Sequence, residues 1–218
     1  MNIKPLKITP SSMPYIAQCP CWERLPSPPG PAALRGTALD AKLRVWLQSP
    51  QSGKEIAMDA RLTDKDIEGL EWAKDTILSK CGSHPVLTEK GQCRFKFTIE
   101  GVLISGEMDG YCPGAVSVFD LKSGKIRDYK HQVLPYALRA MEDTGAKEAD
   151  THLVFCDQRM VASKTFTYDE AYSTLAVMAL AWSDPNKQPK KCHACEYCKH
   201  ADAGGRCRYG VRRFEPNR

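Results

Sequence analysis

The sequence lacks the features that mark a membrane or secreted protein. No run of about 18 apolar residues is present, so no helix is expected to cross a bilayer. The opening segment MNIKPLKITP has no apolar stretch of the kind that a secretory signal needs. Internal repeats and low-complexity segments are also missing. We therefore expect a cytoplasmic protein without membrane association, and a length of 218 residues suits one compact domain.

Disorder over the whole chain is excluded by composition. Hydrophobic residues make up 42% of the chain and charged residues 26%, which allows a sizeable core. Cysteine is abundant, with ten residues. Because a cytosol keeps thiols reduced, ten cysteines there favour ligation of a metal or cluster over a disulfide framework.

Positive charge is concentrated at the C-terminal end. Residues 187–218 carry nine Lys or Arg and three Asp or Glu, a balance of +6, which leaves residues 1–186 at −1. Four of the ten cysteines lie in the same segment. The cations beside these cysteines, Lys190, Lys191, Arg206 and Arg208, are predicted to contact the phosphate backbone of a nucleic acid.

The hydrophobic pattern predicts helices around a mixed sheet. A Ser-capped short helix is expected before Cys19-Pro20, and a Pro-rich loop at 27–31. Longer helices are predicted at 32–48, at 63–80 with Thr63 as N-cap, at 131–144 and at 169–182. Strands are predicted at 94–100, 101–106, 115–122, 151–157 and 164–168. This is an α/β (or α+β) class with a central mixed β-sheet flanked by helices.

Three short motifs follow one another within about thirty residues of the strand-rich region. The first is Gly106-Glu107-Met108-Asp109, at the end of a predicted strand. The second is Asp120-Leu121-Lys122, whose charged side chains leave the same face of a strand because they are two residues apart. The third places Gln132 and Tyr136 on one helical face. Antiparallel pairing of neighbouring strands would bring Asp109 beside Asp120.

Two carboxylates next to a lysine suit a hard divalent cation. Mg²⁺ and Mn²⁺ prefer oxygen ligands, and Asp109 and Asp120 would supply them. Such a site can polarise a phosphodiester and activate water, with Lys122 stabilising the developing charge. Gln132 and Tyr136 would position the scissile strand by hydrogen bonds. An exposed Asp-Lys pair on a sheet edge explains the second motif alone equally well, so the order of the three motifs carries the prediction.

The order G-x-x-D, D-x-K, Q-x-x-x-Y resembles the RecB-like branch of the PD-(D/E)XK nuclease superfamily. This branch includes CRISPR-associated iron–sulfur exonucleases and phage recombination nucleases. The similarity extends from Thr9 to about Gly210 and includes the Arg35–Leu39 segment that opens a helix. It implies a restriction-endonuclease-like core over 1–218. The implied activity is that of a divalent-metal-dependent deoxyribonuclease, an exonuclease that acts in recombination, repair, or phage or CRISPR DNA processing.

One position departs from the family pattern. Relatives usually carry a metal-binding His four residues after the glycine of this segment, where this chain has Asp40. Asp is also a ligand for Mg²⁺ or Mn²⁺, so the implied metal set is Asp40, Asp109 and Asp120. Alternatively, Asp40 is a surface residue in a chain that has lost a ligand. The protein would then bind DNA, or a recombination or replication protein, without cutting.

The C-terminal cysteines have the spacing of metal ligands. Cys192, Cys195 and Cys198 form C-x-x-C-x-x-C, and Cys207 follows. Turns of this kind let thiolates converge on one centre. From the residues alone, these four thiolates could close a tetrahedral zinc site. A zinc-ribbon interaction protein with accidental acidic motifs is a third interpretation of the chain.

The family resemblance implies a different ligand set. In the cluster-bearing relatives one cysteine lies near the N-terminus and three lie near the C-terminus. The matching residues here are Cys19, Cys195, Cys198 and Cys207, with Cys192 as an alternative ligand. The implied cofactor is a [4Fe–4S] cluster with a structural role. Segments 1–30 and 187–212 would together form a small cluster-binding subdomain that joins the chain ends.

Overall fold

The computed structural model describes residues 7–48, 62–200 and 207. Its strands are β1 (Lys7–Ile8), β2 (Arg94–Ile99), β3 (Val102–Glu107), β4 (Gly110–Cys112), β5 (Ser117–Lys122), β6 (Glu148–Phe155) and β7 (Met160–Thr167). Its helices are α1 (Met13–Ile16), α2 (Pro31–Gln48), α3 (Asp64–Cys81), α4 (Lys90–Cys93), α5 (Lys130–Thr144) and α6 (Tyr168–Ser183). In these described ranges no helix has the length and apolar character that crossing a membrane requires.

The strands form two mixed sheets. The larger has the order β4-β5-β6-β7, in which β5 and β6 are parallel and the outer pairs are antiparallel. The smaller has the order β1-β3-β2, with β1 parallel to β3. The predicted α/β class with flanking helices is confirmed. Where the sequence predicted one central sheet, the strands are divided between two.

The division into two sheets comes from a strand that the sequence pattern did not reveal. The sequence predicted that the strand ending at Asp109 would pair with the strand at 115–122. Instead β3 pairs with β2, and the three-residue β4 pairs with β5, placing Gly110 opposite Phe119. Three residues are too few to show an alternating pattern. Asp109 lies between β3 and β4, at the passage from one sheet to the other.

The centre of the larger sheet is buried on both faces, whereas its edge strand β7 is largely exposed. On β5, Val118 packs into one hydrophobic core, and Phe119 into a second core with α2 and α3. Helices α5 and α6 contribute to the first core through residues such as Leu138 and Leu175. Neighbouring side chains on a strand point to opposite faces, so a continuously apolar strand requires a layer of helices on each side.

The predicted helix boundaries are largely confirmed. Thr63 caps α3, accepting a hydrogen bond from the Asp66 N–H, while Asp66 Oδ2 accepts one from the Thr63 N–H at 2.8 Å. At the N-terminus Ser12 stands at the N-cap position of α1, as predicted, but its side chain makes no capping hydrogen bond to that helix. A 3₁₀ turn at Pro10–Ser12, with Thr9 as its N-cap, leads into α1. The Pro-rich segment is a loop whose last residue, Pro31, opens α2.

The two ends of the described chain contact each other directly. The Trp22 indole N–H donates a hydrogen bond to the carbonyl of Ala194 at 3.1 Å. The N–H of Leu25 donates to the carbonyl of Tyr197, and that of Lys199 to the carbonyl of Glu23, each at 2.9 Å. The segment around Trp22 therefore runs alongside the segment that carries the clustered cysteines.

Candidate active site

Asp120, Lys122 and Gln132 form a closed triangle of polar contacts. Gln132 donates from Nε2 to Asp120 Oδ1 at 3.0 Å, and its Oε1 accepts from Lys122 Nζ at 3.1 Å. Lys122 and Asp120 form an ion pair. The first two residues lie at the end of β5, and Gln132 lies in the first turn of α5. This triangle thus joins the second and third sequence motifs.

Both carboxylate oxygens of Asp120 are engaged within this triangle. The Asp120 side chain is 4% exposed; its Oδ1 accepts from Gln132, and its Oδ2 forms the ion pair with the ammonium of Lys122. Burial opposes the charge on Lys122, but Asp120 raises the pKa of that ammonium above its usual value. Lys122 is therefore a cation at neutral pH, and it balances the charge of the buried Asp120 carboxylate.

Tyr136 lies one turn beyond Gln132 and is buried. Its ring packs edge-on against Phe95, with 5.7 Å between ring centroids. Burial and then the charges of Asp120 and Asp109 hold the pKa of the phenol well above its usual range. Tyr136 therefore stays protonated in the wall of the site behind Gln132.

Asp109 is close to Asp120, as the sequence predicted. Its Oδ2 accepts a hydrogen bond from the N–H of Leu121 at 2.8 Å, which ties it to the middle of the D-x-K motif. Burial, followed by the charges of Asp120 and Asp40, raises the pKa of Asp109 well above its usual value. Carboxylates raise one another's pKa because their negative charges repel, and a cation bound between them would relieve that repulsion.

Asp40 faces an arginine that the sequence motifs did not single out. Both Asp40 oxygens accept from Nε of Arg44, at 2.9 and 3.0 Å, one helical turn along α2. Nη2 of Arg44 also donates to Asp109 Oδ1 at 3.2 Å. Burial raises the pKa of Asp40 in spite of Arg44. The four-residue spacing of Asp40 and Arg44 on one predicted helix is the sequence signal that could have indicated this ion pair.

Asp109 and Asp120 are two carboxylates that could share a divalent cation. Within residues 7–48, 62–200 and 207, no three Asp, Glu, His or Cys side chains converge on a point that one metal ion could occupy. Mg²⁺, however, is commonly held by one or two carboxylates together with water and substrate phosphate. The oxygens of Asp120 contact Gln132 and Lys122, and those of Asp109 contact Arg44 and the N–H of Leu121, so a cation bound between them would replace one of these contacts. Asp40 is likewise engaged by Arg44.

A groove with a volume of about 970 Å³ opens beside Lys122 and Gln132. Its lining combines cations with aromatic rings: Lys7, Arg24, Arg127, Lys199, Tyr15, Trp22, Tyr129, Trp182 and Tyr197. Among the described lining residues the only acid is Glu23, and it is paired with Lys199 and His200. The groove therefore has a positive wall that reaches Lys122 and Gln132, whereas Asp40, Asp109 and Asp120 are not among its lining residues.

The groove cations differ from those that the sequence predicted. Lys190 and Lys191 are exposed, and Lys190 lines the cysteine cavity described below. Arg206 and Arg208 lie outside the described residues. The cations of the groove come from four separate parts of the chain, so a count of charge along the sequence does not reveal them.

A second cavity, with a volume of about 330 Å³, is lined by cysteines. The six thiols are Cys19, Cys21, Cys192, Cys195, Cys198 and Cys207. The N–H of Lys190 donates to Cys19 Sγ, and that of Cys192 to Cys195 Sγ, each at 3.3 Å. The structure thus places the N-terminal cysteine with the C-terminal ones, which is the grouping that the family resemblance implies.

The cysteine cavity holds six candidate thiol ligands, more than the four that one zinc ion takes. Four thiolates on one zinc ion lie about 3.8 Å from one another, given a Zn–S distance of about 2.3 Å. Cys192 and Cys195 meet this distance, with 3.8 Å between their sulfurs, but among the described residues no three ligands surround a single point. A [4Fe–4S] cluster takes one thiolate for each iron and spreads its ligands further apart.

The fold is shared with a solved structure. A candidate exonuclease from Eubacterium rectale superposes with a TM-score of 0.53 and 18% identity, over 90% of this chain and 88% of that chain. The protein SSO0001 superposes with a TM-score of 0.45 and 14% identity, over 97% of this chain and 90% of that chain. No protein-family model matches the sequence, and no curated protein matches it.

Proposed function

We propose that this protein is a divalent-metal-dependent deoxyribonuclease of the RecB-like PD-(D/E)XK type, and that it acts as an exonuclease. The observation that carries the proposal is the Asp120–Lys122–Gln132 triangle beside Asp109, which presents Lys122 and Gln132 to a cation-lined groove. The fold shared with a candidate exonuclease supports it. Recombination, repair, or phage or CRISPR DNA processing are the settings that the family resemblance suggests.

Each residue of the triangle, and each of its neighbours Asp109 and Tyr136, has a role in the proposed reaction. Asp120 and Asp109 would hold Mg²⁺ or Mn²⁺, which when bound supplies Lewis-acid activation of the phosphodiester and of water. Because Asp120 keeps Lys122 protonated, Lys122 donates hydrogen bonds to phosphate oxygens and cannot act as the general base at neutral pH. Gln132 holds both partners in place through its amide. Tyr136 fixes the helical turn that carries Gln132.

The groove suits a single nucleic-acid strand. Grooves that bind single strands combine cations along the backbone with aromatic rings on which bases stack, at about 1–3 kcal/mol per stacked base. Here Tyr129 lies beside the catalytic lysine, with Lys122 Nζ 4.6 Å from its ring centroid. Tyr15 and Trp182 line the groove further along. A strand end in this groove would place its terminal phosphodiester near Lys122.

The cysteine cavity is assigned a structural [4Fe–4S] cluster, with zinc as the alternative. Cys19, Cys195, Cys198 and Cys207 would ligate it, with Cys192 as an alternative ligand, and the cluster would join segments 1–30 and 187–212. Protein purified without oxygen should show a broad absorbance band at about 400 nm and contain iron and sulfide. A colourless protein that contains zinc would contradict the cluster assignment.

Cleavage of labelled oligonucleotides tests the activity. With Mg²⁺ or Mn²⁺ the protein should shorten single-stranded DNA from an end. Asp120→Asn should lower the rate by about 100-fold or more, because it removes a metal ligand. Asp75→Asn is the matched control, since the Asp75 side chain is 74% exposed on α3, and it should cleave normally. Cleavage that survives Asp120→Asn would show that the site assignment is wrong.

A second candidate function is DNA binding without cleavage. It is favoured by Arg44, whose guanidinium occupies both oxygens of Asp40 at the position where relatives carry a metal-binding His. In this case the groove would hold DNA, or the protein would act with a recombination or replication partner. Binding of single-stranded DNA with no cleavage in Mg²⁺ or Mn²⁺ would select this function over the first.

A further inference from the structure

Arg44 is the buried cation around which the carboxylates are arranged. Its side chain is 10% exposed. Besides Asp40 and Asp109, it donates from Nη1 to the carbonyl of Thr88 at 2.7 Å and from Nη2 to the carbonyl of Met108 at 3.1 Å. One guanidinium therefore connects α2, the segment before α4, and the passage from β3 to β4. A lysine has too few donors in a fixed plane to make these contacts together.

Arg44 lies among the charged groups of the site. Four carboxylates interact here: Asp40, Glu107, Asp109 and Asp120. Two cations pair with them from within the site, Arg44 with Asp109 and Lys122 with Asp120. A third cation, Arg94, pairs with Glu107 from the solvent side, where water screens it. Because Arg44 contacts Asp40 and Asp109 together, its guanidinium stands where a cation shared by these two carboxylates would bind.

We propose that Arg44 is a positioning residue that acts as a fixed cation: it occupies the space between Asp40 and Asp109 and restricts the site to one divalent cation, bound by Asp109 and Asp120. The proposal rests on the proposed function in that it requires a divalent cation at this site. Asp40 is then the partner of Arg44 and makes no direct bond to the metal. Removing the guanidinium frees Asp40 and Asp109 together, and a second divalent cation can take its place.

Counting bound Mn²⁺ by electron paramagnetic resonance tests the stoichiometry with the full chain. Wild-type protein should bind one Mn²⁺ ion more than Asp120→Asn does. Any Mn²⁺ that Asp120→Asn still binds belongs to sites unrelated to Asp120, so the difference counts the ions at this site. Arg44→Met should bind a second Mn²⁺, and Arg44→Lys, which keeps the charge, should still bind one. Two Asp120-dependent Mn²⁺ ions in wild-type protein would overturn the inference and leave the proposed function intact. No Asp120-dependent Mn²⁺ in any variant would overturn both.

The double variant Asp40→Asn with Arg44→Met keeps the test decisive if Arg44→Met does not fold. It removes both partners of the Asp40–Arg44 pair, so neither partner is left without the other, and the formal net charge of the site is unchanged. This variant should bind one Mn²⁺, with an affinity within about tenfold of the wild type. Asp40→Asn alone should retain the Mn²⁺ ion. If it abolishes binding as completely as Asp120→Asn does, Asp40 is a metal ligand and the inference is wrong.

Discussion

Replacing Lys122 by Met should destabilise the metal-free protein strongly. Lys122 is 15% exposed, and it is the cation that faces the buried Oδ2 of Asp120. Breaking a buried ion pair by removing one partner costs about 3–5 kcal/mol, because a buried charge is left uncompensated. In a chain of this size each kcal/mol changes the melting temperature by roughly 2–4 °C. The expected decrease is therefore about 6–20 °C.

A divalent cation should reverse part of this loss. An ion that binds only the folded state at 100 times its Kd adds about 2.7 kcal/mol to the free energy of unfolding. In Lys122→Met the ion also supplies the missing positive charge beside Asp120. Mn²⁺ should therefore raise the melting temperature of Lys122→Met by more than it raises that of the wild type.

Thermal unfolding followed by circular dichroism, in EDTA and in Mn²⁺, measures both effects. Lys164→Met is the matched control, since Lys164 is 50% exposed and pairs with Glu170 on the surface. An exposed pair contributes about 1 kcal/mol or less, so the control should change little in either buffer. If Lys122→Met is as stable in EDTA as the control, Asp120 does not depend on Lys122 and the reasoning fails.

Two further predictions concern the scaffold around the site. Burial, and then the charge of Lys80, lower the pKa of His152 to about 4, so the folded state loses stability as pH falls from about 6.5 to about 4. At about 1.36 kcal/mol per pKa unit, the loss of unfolding free energy is about 3 kcal/mol. Urea unfolding at pH 7.5 and 4.5 measures this loss, and His152→Gln should abolish it. A His152→Gln variant with the same pH dependence as the wild type would contradict the prediction. Gly69→Ala would place a Cβ 2.9 Å from the carbonyl oxygen of Cys156, which should cost about 1–3 kcal/mol of unfolding free energy. Gly91→Ala, with open space around the added carbon, is its control, and equal losses in the two variants would refute the packing argument.

The long helices and the order of the site motifs could be predicted from the sequence. The apolar spacing of Leu39, Leu43 and Leu47 repeats often enough to define a buried helical face, and the structure buries all three. Asp120 and Lys122 share a face because a strand has a period of two. Gln132 reaches both residues because the helix that carries it follows the same strand.

The parts that the sequence could not reveal depend on tertiary contacts. Strand β4 is too short to have a period, and only its pairing with β5 defines it. Arg44 has an ordinary place on an amphipathic helix, and its role follows from carbonyls of Thr88 and Met108 that lie far along the chain. The cations of the groove are likewise brought together by the fold.

The cysteine cavity and the groove have a common wall. Trp22 and Glu23 line both cavities, and Glu23 pairs with Lys199 on the groove side. Tyr197, another groove residue, lies between Cys195 and Cys198 in the sequence, and its carbonyl accepts the N–H of Leu25. A group held by these thiols would therefore fix some of the rings and cations that line the groove. Under the proposed function, this rigid placement would lower the entropy lost when a strand binds, which would give a structural cofactor at the chain ends a direct role in binding.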